Sequence, residues 1–101
     1  MIYYVDIDDT ICTLKEPMQY ESAQPIPLAI EKINLLYEEG HRVVFWTARG
    51  TLSGKDWRQL TESQLESWGV KYHELKFGKP AYDFFIDDKN INSHDWLNSS
   101  K

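Results

Sequence analysis

Short apolar runs alternate along this chain with longer stretches in which apolar residues recur every three or four positions. The run Ile2–Ile7 is apolar, β-branched and aromatic, and Val43–Trp46 is wholly apolar. We interpret both as strands, with a third strand over Val70–Leu75 and a fourth over Tyr82–Asp87. The second and fourth runs are nearly continuous in apolar residues, which is typical of strands buried on both faces.

Apolar residues at helical spacing predict two helices between these strands. The first is expected over about 27–39 and the second over about 56–68, and each is followed by a glycine that favours a helix end. The polar and irregular stretch Thr10–Gln24 predicts a loop, and a short final helix is expected near Ser93.

The alternation of strands and helices predicts an α/β fold, a three-layer Rossmann-like arrangement around a parallel sheet. A strand order of 3-2-1-4 would reverse the chain direction between strands 1 and 4 and so form a ligand-binding crevice there. The 101 residues are enough for one domain, and no insertion is large enough for a cap domain. We therefore expect a single capless domain over residues 1–101.

Composition and charge narrow the classes of partner. The hydrophobic fraction of 42% is enough for a packed core, and the net charge of −5 with scattered Lys and Arg argues against a long nucleic-acid partner. No apolar stretch approaches the roughly 20 residues that span a bilayer, so no membrane association is expected. The single Cys12 cannot form an internal disulfide, which favours a cytoplasmic setting.

Polar side chains follow three of the predicted strands. Asp6 and Asp8 follow strand 1, Thr47 follows strand 2, and Asp87 with Asp88 follows strand 4. Ligands in open α/β sheets bind at the carboxyl ends of the strands. Carboxylate oxygens and water are the ligands that Mg²⁺ prefers, so the sequence predicts a magnesium site between strands 1 and 4.

Each of these features also has a structural interpretation. The two acidic clusters could form turns, Thr47 could cap a loop, and Lys79 could be a solvated surface charge. For Thr47 and Lys79 taken alone, the structural interpretation is favoured. Because the clusters fall together at strand ends, a shared site is the better interpretation of the set.

At these residues the chain resembles the haloacid dehalogenase superfamily of phosphohydrolases. The motif Asp-x-Asp-x-Thr is matched at 6–10, the Ser or Thr that ends an apolar strand is matched by Thr47, and the motif lysine is matched by Lys79, with Lys76 as a rival. The acidic pair after an apolar strand is matched by Asp87 and Asp88. The resemblance runs from near residue 2 to near residue 90.

The resemblance implies a role for each matched residue. Asp6 would attack phosphorus and form an aspartyl phosphate, and Asp8 would serve as general acid and then general base. Thr47 and Lys79 would hold the phosphoryl oxygens. Magnesium would be bound by Asp6, by Asp87 and by the backbone carbonyl of Asp8. Asp88 would contribute directly or through water.

Several functions stay open at this point. Small capless members of the superfamily include sugar-phosphate phosphatases, whereas segments 46–50 and 86–89 resemble polynucleotide 3′-phosphatases. The acidic charge favours a small phosphorylated substrate such as a sugar phosphate. A phospho-accepting receiver domain would need an Asp after its third strand, and the mid-chain Asp56 follows no apolar run. A non-catalytic phosphate-binding module would not need both Asp6 and Asp8. Exposed aromatic residues leave a homo-oligomer open.

Overall fold

The computed structural model of the protein describes residues 1–99. In chain order its elements are strand β1 (Ile2–Val5), strand β2 (Cys12–Thr13), a 3₁₀ turn (Tyr20–Ser22), strand β3 (Gln24–Pro25), helix α1 (Pro27–Glu38), strand β4 (Arg42–Trp46), helix α2 (Arg58–Ser67), strand β5 (Glu74–Lys76) and helix α3 (Ser93–Leu97). Both predicted long helices and the short final helix are therefore present, with ends that lie within two residues of the predicted ones for α1 and α2. No helix among residues 1–99 is long and apolar enough to cross a membrane.

The main sheet consists of three parallel strands in the order β1-β4-β5. Tyr4 pairs with Val44 across the first interface, and Val44 pairs with Glu74 across the second. The central strand β4 contributes Val43 and Phe45 to the core, and both are fully buried. The α/β class with a parallel sheet is thus confirmed, and the three-strand part of the predicted order is present.

Both long helices pack on the same face of this sheet. Ile33 of α1 and Leu65 of α2 belong to one core cluster with Val43 and Phe45. Two successive crossovers of the same hand that progress in the same direction along a sheet place their helices on one face. Helices α1 and α2 therefore form one layer against the sheet, and the three-layer arrangement stays a prediction. On the opposite face, Tyr4 of the edge strand β1 is exposed.

The predicted fourth strand over Tyr82–Asp87 is not formed. This segment has no strand pairing, and Phe84 and Ile86 are 88% and 97% exposed. The backbone N–H of Lys79 is anchored to the carbonyl of Thr47, at the carboxyl edge of the sheet. Three residue steps from there span at most about 10 Å, whereas a six-residue parallel strand would have to begin about 17–20 Å back from that edge. The apolar run predicted the strand, but the connection is too short for its full length.

A small second sheet holds the loop that follows β1. Strands β2 and β3 pair antiparallel within the stretch predicted as a loop, with Cys12 opposite Pro25. Ile11 and Cys12 are fully buried, and the backbone N–H of Ile26 donates to the carbonyl of Ile11. The acidic turn between β1 and β2 is therefore fixed at both ends by the core.

Candidate functional site

The turn after β1 places Asp6 and Asp8 on either side of a buried anchor. Ile7 is fully buried, and its carbonyl accepts hydrogen bonds from the backbone N–H groups of Thr10 and Ile11 at 3.1 and 2.9 Å. The core therefore holds Ile7, and the two carboxylates lie at the carboxyl edge of the sheet, as the sequence predicted.

Asp6 is paired with the predicted motif lysine. Its Oδ1 lies 3.5 Å from Nζ of Lys79, and the two side chains are 38% and 14% exposed. Burial raises the pKa of Asp6 above its ordinary value of 3.8, and the negative charge of Asp8 adds to the increase, while the ammonium group of Lys79 opposes it. Asp6 and Asp8 are thus close enough for their charges to interact.

Asp8 is held with both carboxylate oxygens by one guanidinium group. Nε of Arg49 donates to Oδ2 at 3.0 Å, and Nη2 donates to Oδ1 at 2.8 Å. The thiol of Cys12 also donates to Oδ1, at 3.4 Å. Burial and the nearby Asp8 raise the pKa of Cys12 to about 12, so this thiol stays protonated at neutral pH. In all three contacts Asp8 is the acceptor.

The side chain of Arg49 is itself fully buried. Its Nη1 donates to Oγ1 of Thr61 at 3.1 Å and to Oε1 of Gln64 at 2.6 Å, and both acceptors lie on α2. The guanidinium carbon lies 4.8 Å from the centre of the Tyr20 ring, and the amide of Gln64 donates to the carbonyl of Tyr20 at 2.7 Å. Helix α2 and the 3₁₀ turn therefore fix Arg49, and Arg49 fixes Asp8.

Thr47 and Lys79, the two predicted phosphate ligands, come together at the end of β4. The N–H of Lys79 donates to the carbonyl of Thr47 at 3.2 Å, and the hydroxyl of Thr51 donates to the carbonyl of Lys79 at 2.7 Å. The Thr47 side chain is 1% exposed, and its Oγ1 accepts the N–H of Arg49 at 3.1 Å. Thr47 is thus a turn-forming residue here as well as a candidate ligand.

The glycine in this turn has a specific steric role. Gly50 has a positive φ of 83°, and a Cβ at this position would lie 2.2 Å from the carbonyl oxygen of Lys55. No side chain can be accepted there without a backbone shift, so Gly50 allows the chain to fold back directly after Arg49.

The rival lysine lies elsewhere on the sheet. Lys76 is exposed on β5, its Nζ donates to the hydroxyl of Tyr4 at 3.1 Å, and it lies 3.9 Å from a carboxylate oxygen of Glu74. Of the two candidate motif lysines, Lys79 is therefore the one that contacts Asp6.

Asp87 and Asp88 do not join the other carboxylates. Both are exposed, and the chain turns at Asp88 and Lys89. Among the described residues, no three His, Cys, Asp or Glu side chains are gathered as a metal site would require. The donor set predicted for Mg²⁺ is therefore not assembled in this arrangement, because the strand that would bring Asp87 to Asp6 is not formed.

A pocket of about 390 Å³ borders Asp6 and Lys79. It lies between β1 and the segment that was predicted as the fourth strand. Its other lining residues are mostly aromatic or carry amide and hydroxyl groups, and they include Tyr3, Tyr82, Phe84, Phe85, Asn90, Asn92 and Trp96. The pocket is therefore the gap that the missing fourth strand leaves beside β1.

The sequence interpretation missed the group that holds Asp8. Arg49 was noted only as part of the segment 46–50, and Thr61 and Gln64 of α2 were given no role. The signal in the sequence is an arginine three residues after a buried strand, where a charge is rarely found without a partner. Thr61 and Gln64 are three positions apart and so lie on one face of their helix, the face of the buried Leu65.

Comparisons with known proteins establish the fold alone. The chain matches no protein-family model, and no curated protein is significantly similar to it in sequence. It is similar to the crystal structure of an MCSG target from Vibrio cholerae, with a TM-score of 0.84 and 24% sequence identity. That likeness covers 98% of this chain and 89% of the other chain.

Proposed function

We propose that this protein is a phosphatase of the haloacid dehalogenase type that hydrolyses a small phosphate monoester through an aspartyl phosphate on Asp6. One observation carries the proposal: Asp6 lies at the carboxyl edge of a parallel sheet, paired with Lys79 and within electrostatic reach of Asp8. A carboxylate nucleophile, an ammonium group for the phosphoryl oxygens and a second carboxylate are the groups that such a reaction uses.

The first step transfers the phosphoryl group to the protein. A carboxylate oxygen of Asp6 attacks phosphorus, and the bond between phosphorus and the leaving oxygen breaks. Asp8, in its protonated form, gives its proton to that oxygen, so the alcohol departs. Lys79 compensates negative charge on the phosphoryl oxygens, a role that the 3.5 Å distance between Nζ of Lys79 and Oδ1 of Asp6 supports.

The second step returns the phosphoryl group to water. Asp8, now a carboxylate, accepts a proton from a water molecule whose oxygen attacks phosphorus. The bond between phosphorus and the oxygen of Asp6 breaks, which restores Asp6 and releases inorganic phosphate. The sum of both steps is one monoester and one water consumed, with one alcohol and one phosphate formed, and Asp8 ends as it began.

Magnesium is part of this proposal and would need a further movement of the chain. We propose that Phe84–Ile86 pairs with the open edge of β1 when the ion binds, which would give the strand order 3-2-1-4 and bring Asp87 toward Asp6. A strand paired with the outer edge of β1 would lie two strand spacings, or about 10 Å, from β4. Five residue steps from Lys79 to Phe84 span up to about 17 Å, so this shorter strand is within reach. Bound magnesium would neutralise charge on the phosphoryl group.

One observation supports a small substrate over a polynucleotide 3′-phosphate. The chain carries a net charge of −5, which disfavours a partner with many phosphates. The receiver-domain alternative gains nothing from Asp56, whose Oδ1 accepts the N–H of Arg58 at 2.9 Å at the start of α2. A cytoplasmic setting, suggested by the single Cys12, completes the proposal.

The decisive experiment is a screen of the purified protein and its Asp6→Asn variant against a panel of phosphorylated metabolites with Mg²⁺ present. Wild type should hydrolyse at least one small monoester, and Asp6→Asn should reduce turnover to background while its circular dichroism spectrum is unchanged. Asp56→Asn is the matched control, because Asp56 is exposed and the proposed chemistry gives it no role. Near-normal turnover by Asp6→Asn would show that Asp6 is not the nucleophile.

A further inference from the structure

We infer that Arg49 is a positioning residue that sets the orientation in which Asp8 exchanges its proton. This inference rests on the proposed function. Its basis is a chain of contacts that the motif residues alone do not contain: Asp8 to Arg49, and Arg49 to Thr61 and Gln64 of α2.

Arg49 cannot move independently. Its side chain is fully buried, its Nη1 is fixed by two acceptors on α2, and the Tyr20 ring lies 4.8 Å from its guanidinium carbon. A buried guanidinium is costly without a charge partner, so the pair with Asp8 at 2.8 Å is needed to keep Arg49 in place.

The fixed guanidinium group of Arg49 sets the orientation of the Asp8 carboxylate. A guanidinium fork that binds both oxygens of a carboxylate fixes its plane as well as its position. Asp8 in this orientation is ready to accept a proton from water. As a general acid Asp8 carries a proton on one oxygen, and that oxygen keeps a lone pair that can still accept from Arg49, so the fork can hold both oxygens in either protonation state.

A lysine cannot replace Arg49 in this role. An ammonium group supplies a point charge, whereas the planar fork supplies two parallel donors with a defined direction. Arg49→Lys would therefore keep the positive charge near Asp8 and lose the control of its plane. A residue that acts only through packing would not distinguish between leaving groups, but a residue that aims the general acid would.

The test compares two substrates that differ in their need for a proton. An alkyl monoester, such as a hexose phosphate, needs its leaving oxygen protonated, whereas 4-nitrophenyl phosphate does not. In single-turnover measurements of bond cleavage, Asp8→Asn should slow the alkyl substrate by about 10²–10⁴-fold and the aryl substrate much less. Arg49→Lys should show the same selectivity, with at least a tenfold larger loss for the alkyl substrate. The double variant should be no slower than Asp8→Asn alone.

Controls separate this inference from folding and from the proposed function. Arg42→Lys is the matched control, because Arg42 forms an exposed ion pair with Glu74 and should leave both rates unchanged. If Arg49→Lys fails to fold, Thr61→Val removes one acceptor of Arg49 while keeping the shape of the side chain, and it should show the same selectivity at smaller size.

Equal losses for both substrates, or no loss, in the folded variant would overturn the positioning role and leave the phosphatase proposal standing. A wild-type protein that cleaves neither these two substrates nor any other monoester would overturn both.

Discussion

At the scale of single residues, the site depends on charges held away from water. Asp6 has one cation beside it, Lys79, and burial is nevertheless the main influence on its pKa. The same is true of the thiol of Cys12, which burial keeps protonated beside Asp8. Arg49 and Cys12 are fully buried, so little solvent screens their interactions with Asp8.

The raised pKa of Asp6 makes a prediction about stability and pH in metal-free protein. Between 3.8 and the higher folded-state pKa, the native state binds more protons at Asp6 than the unfolded state does. The contribution of Asp6 to the free energy of unfolding therefore falls as pH rises through this range. Asp6→Asn lacks this titration, so its free energy of unfolding relative to wild type should increase over the same range.

Urea unfolding of wild type and Asp6→Asn between pH 3 and 7, with chelator present, measures this difference. A relative stability of Asp6→Asn that decreases with rising pH would show that the ion pair with Lys79 outweighs burial.

Gly50 gives a second prediction at this scale. A Cβ at Gly50 would lie 2.2 Å from the Lys55 carbonyl oxygen, whereas a Cβ at Gly54 would meet nothing within 4 Å, although both glycines have a positive φ. Both alanine variants carry similar backbone strain, so the difference between them isolates the steric clash. Gly50→Ala should be less stable than Gly54→Ala by about 1–3 kcal/mol in chemical denaturation. Equal stability would mean that the turn after Arg49 adjusts freely.

At the scale of elements, the segment Phe84–Ile86 is the part of the fold with two proposed arrangements. If Mg²⁺ draws it to the edge of β1, backbone N–H groups in both segments should become protected from hydrogen exchange. We expect this protection with Mg²⁺ and beryllium fluoride, a phosphoryl mimic. The protection should be absent when a chelator removes the Mg²⁺. Asp87→Asn should reduce the protection, and Asp95→Asn in α3 should not. Unchanged exchange on β1 would contradict the pairing.

The same segment shows what sequence reasoning can and cannot reach. Periodicity predicted α1, α2 and β4 because each buries its own apolar side chains against the common core. Sequence reasoning also implied, through the family resemblance, that Asp6 and Lys79 serve one site, and the two side chains are paired. It did not predict the exposure of Phe84 and Ile86, because the length of the connection from Lys79 decides whether an apolar run can reach the sheet. Arg49 was missed because its partners are distant in the sequence. Asp8 lies 41 positions before it, and Thr61 and Gln64 of α2 lie 12 and 15 positions after it.

At the scale of the whole molecule, acidic residues outnumber basic ones. The chain has 16 Asp and Glu against 11 Lys and Arg. If Mg²⁺ binds the native state and not the unfolded state, it should raise the melting temperature, with an increase that grows with ion concentration. Asp87→Asn should weaken this shift.

Phosphatase activity should disappear with chelator and return with added Mg²⁺, and activity that survives chelator would rule out a magnesium requirement.

The unpaired edge of β1 has a consequence for how the protein behaves at high concentration. An open strand edge offers free backbone donors and acceptors to any other extended chain and is a common starting point for aggregation. Within β1, neither a lysine nor a proline guards this edge, and Ile2 and Tyr4 are 67% and 55% exposed. Should Phe84–Ile86 occupy that edge, the segment would act as a built-in gatekeeper. The movement proposed to complete the catalytic site would then also protect the protein from forming fibrils.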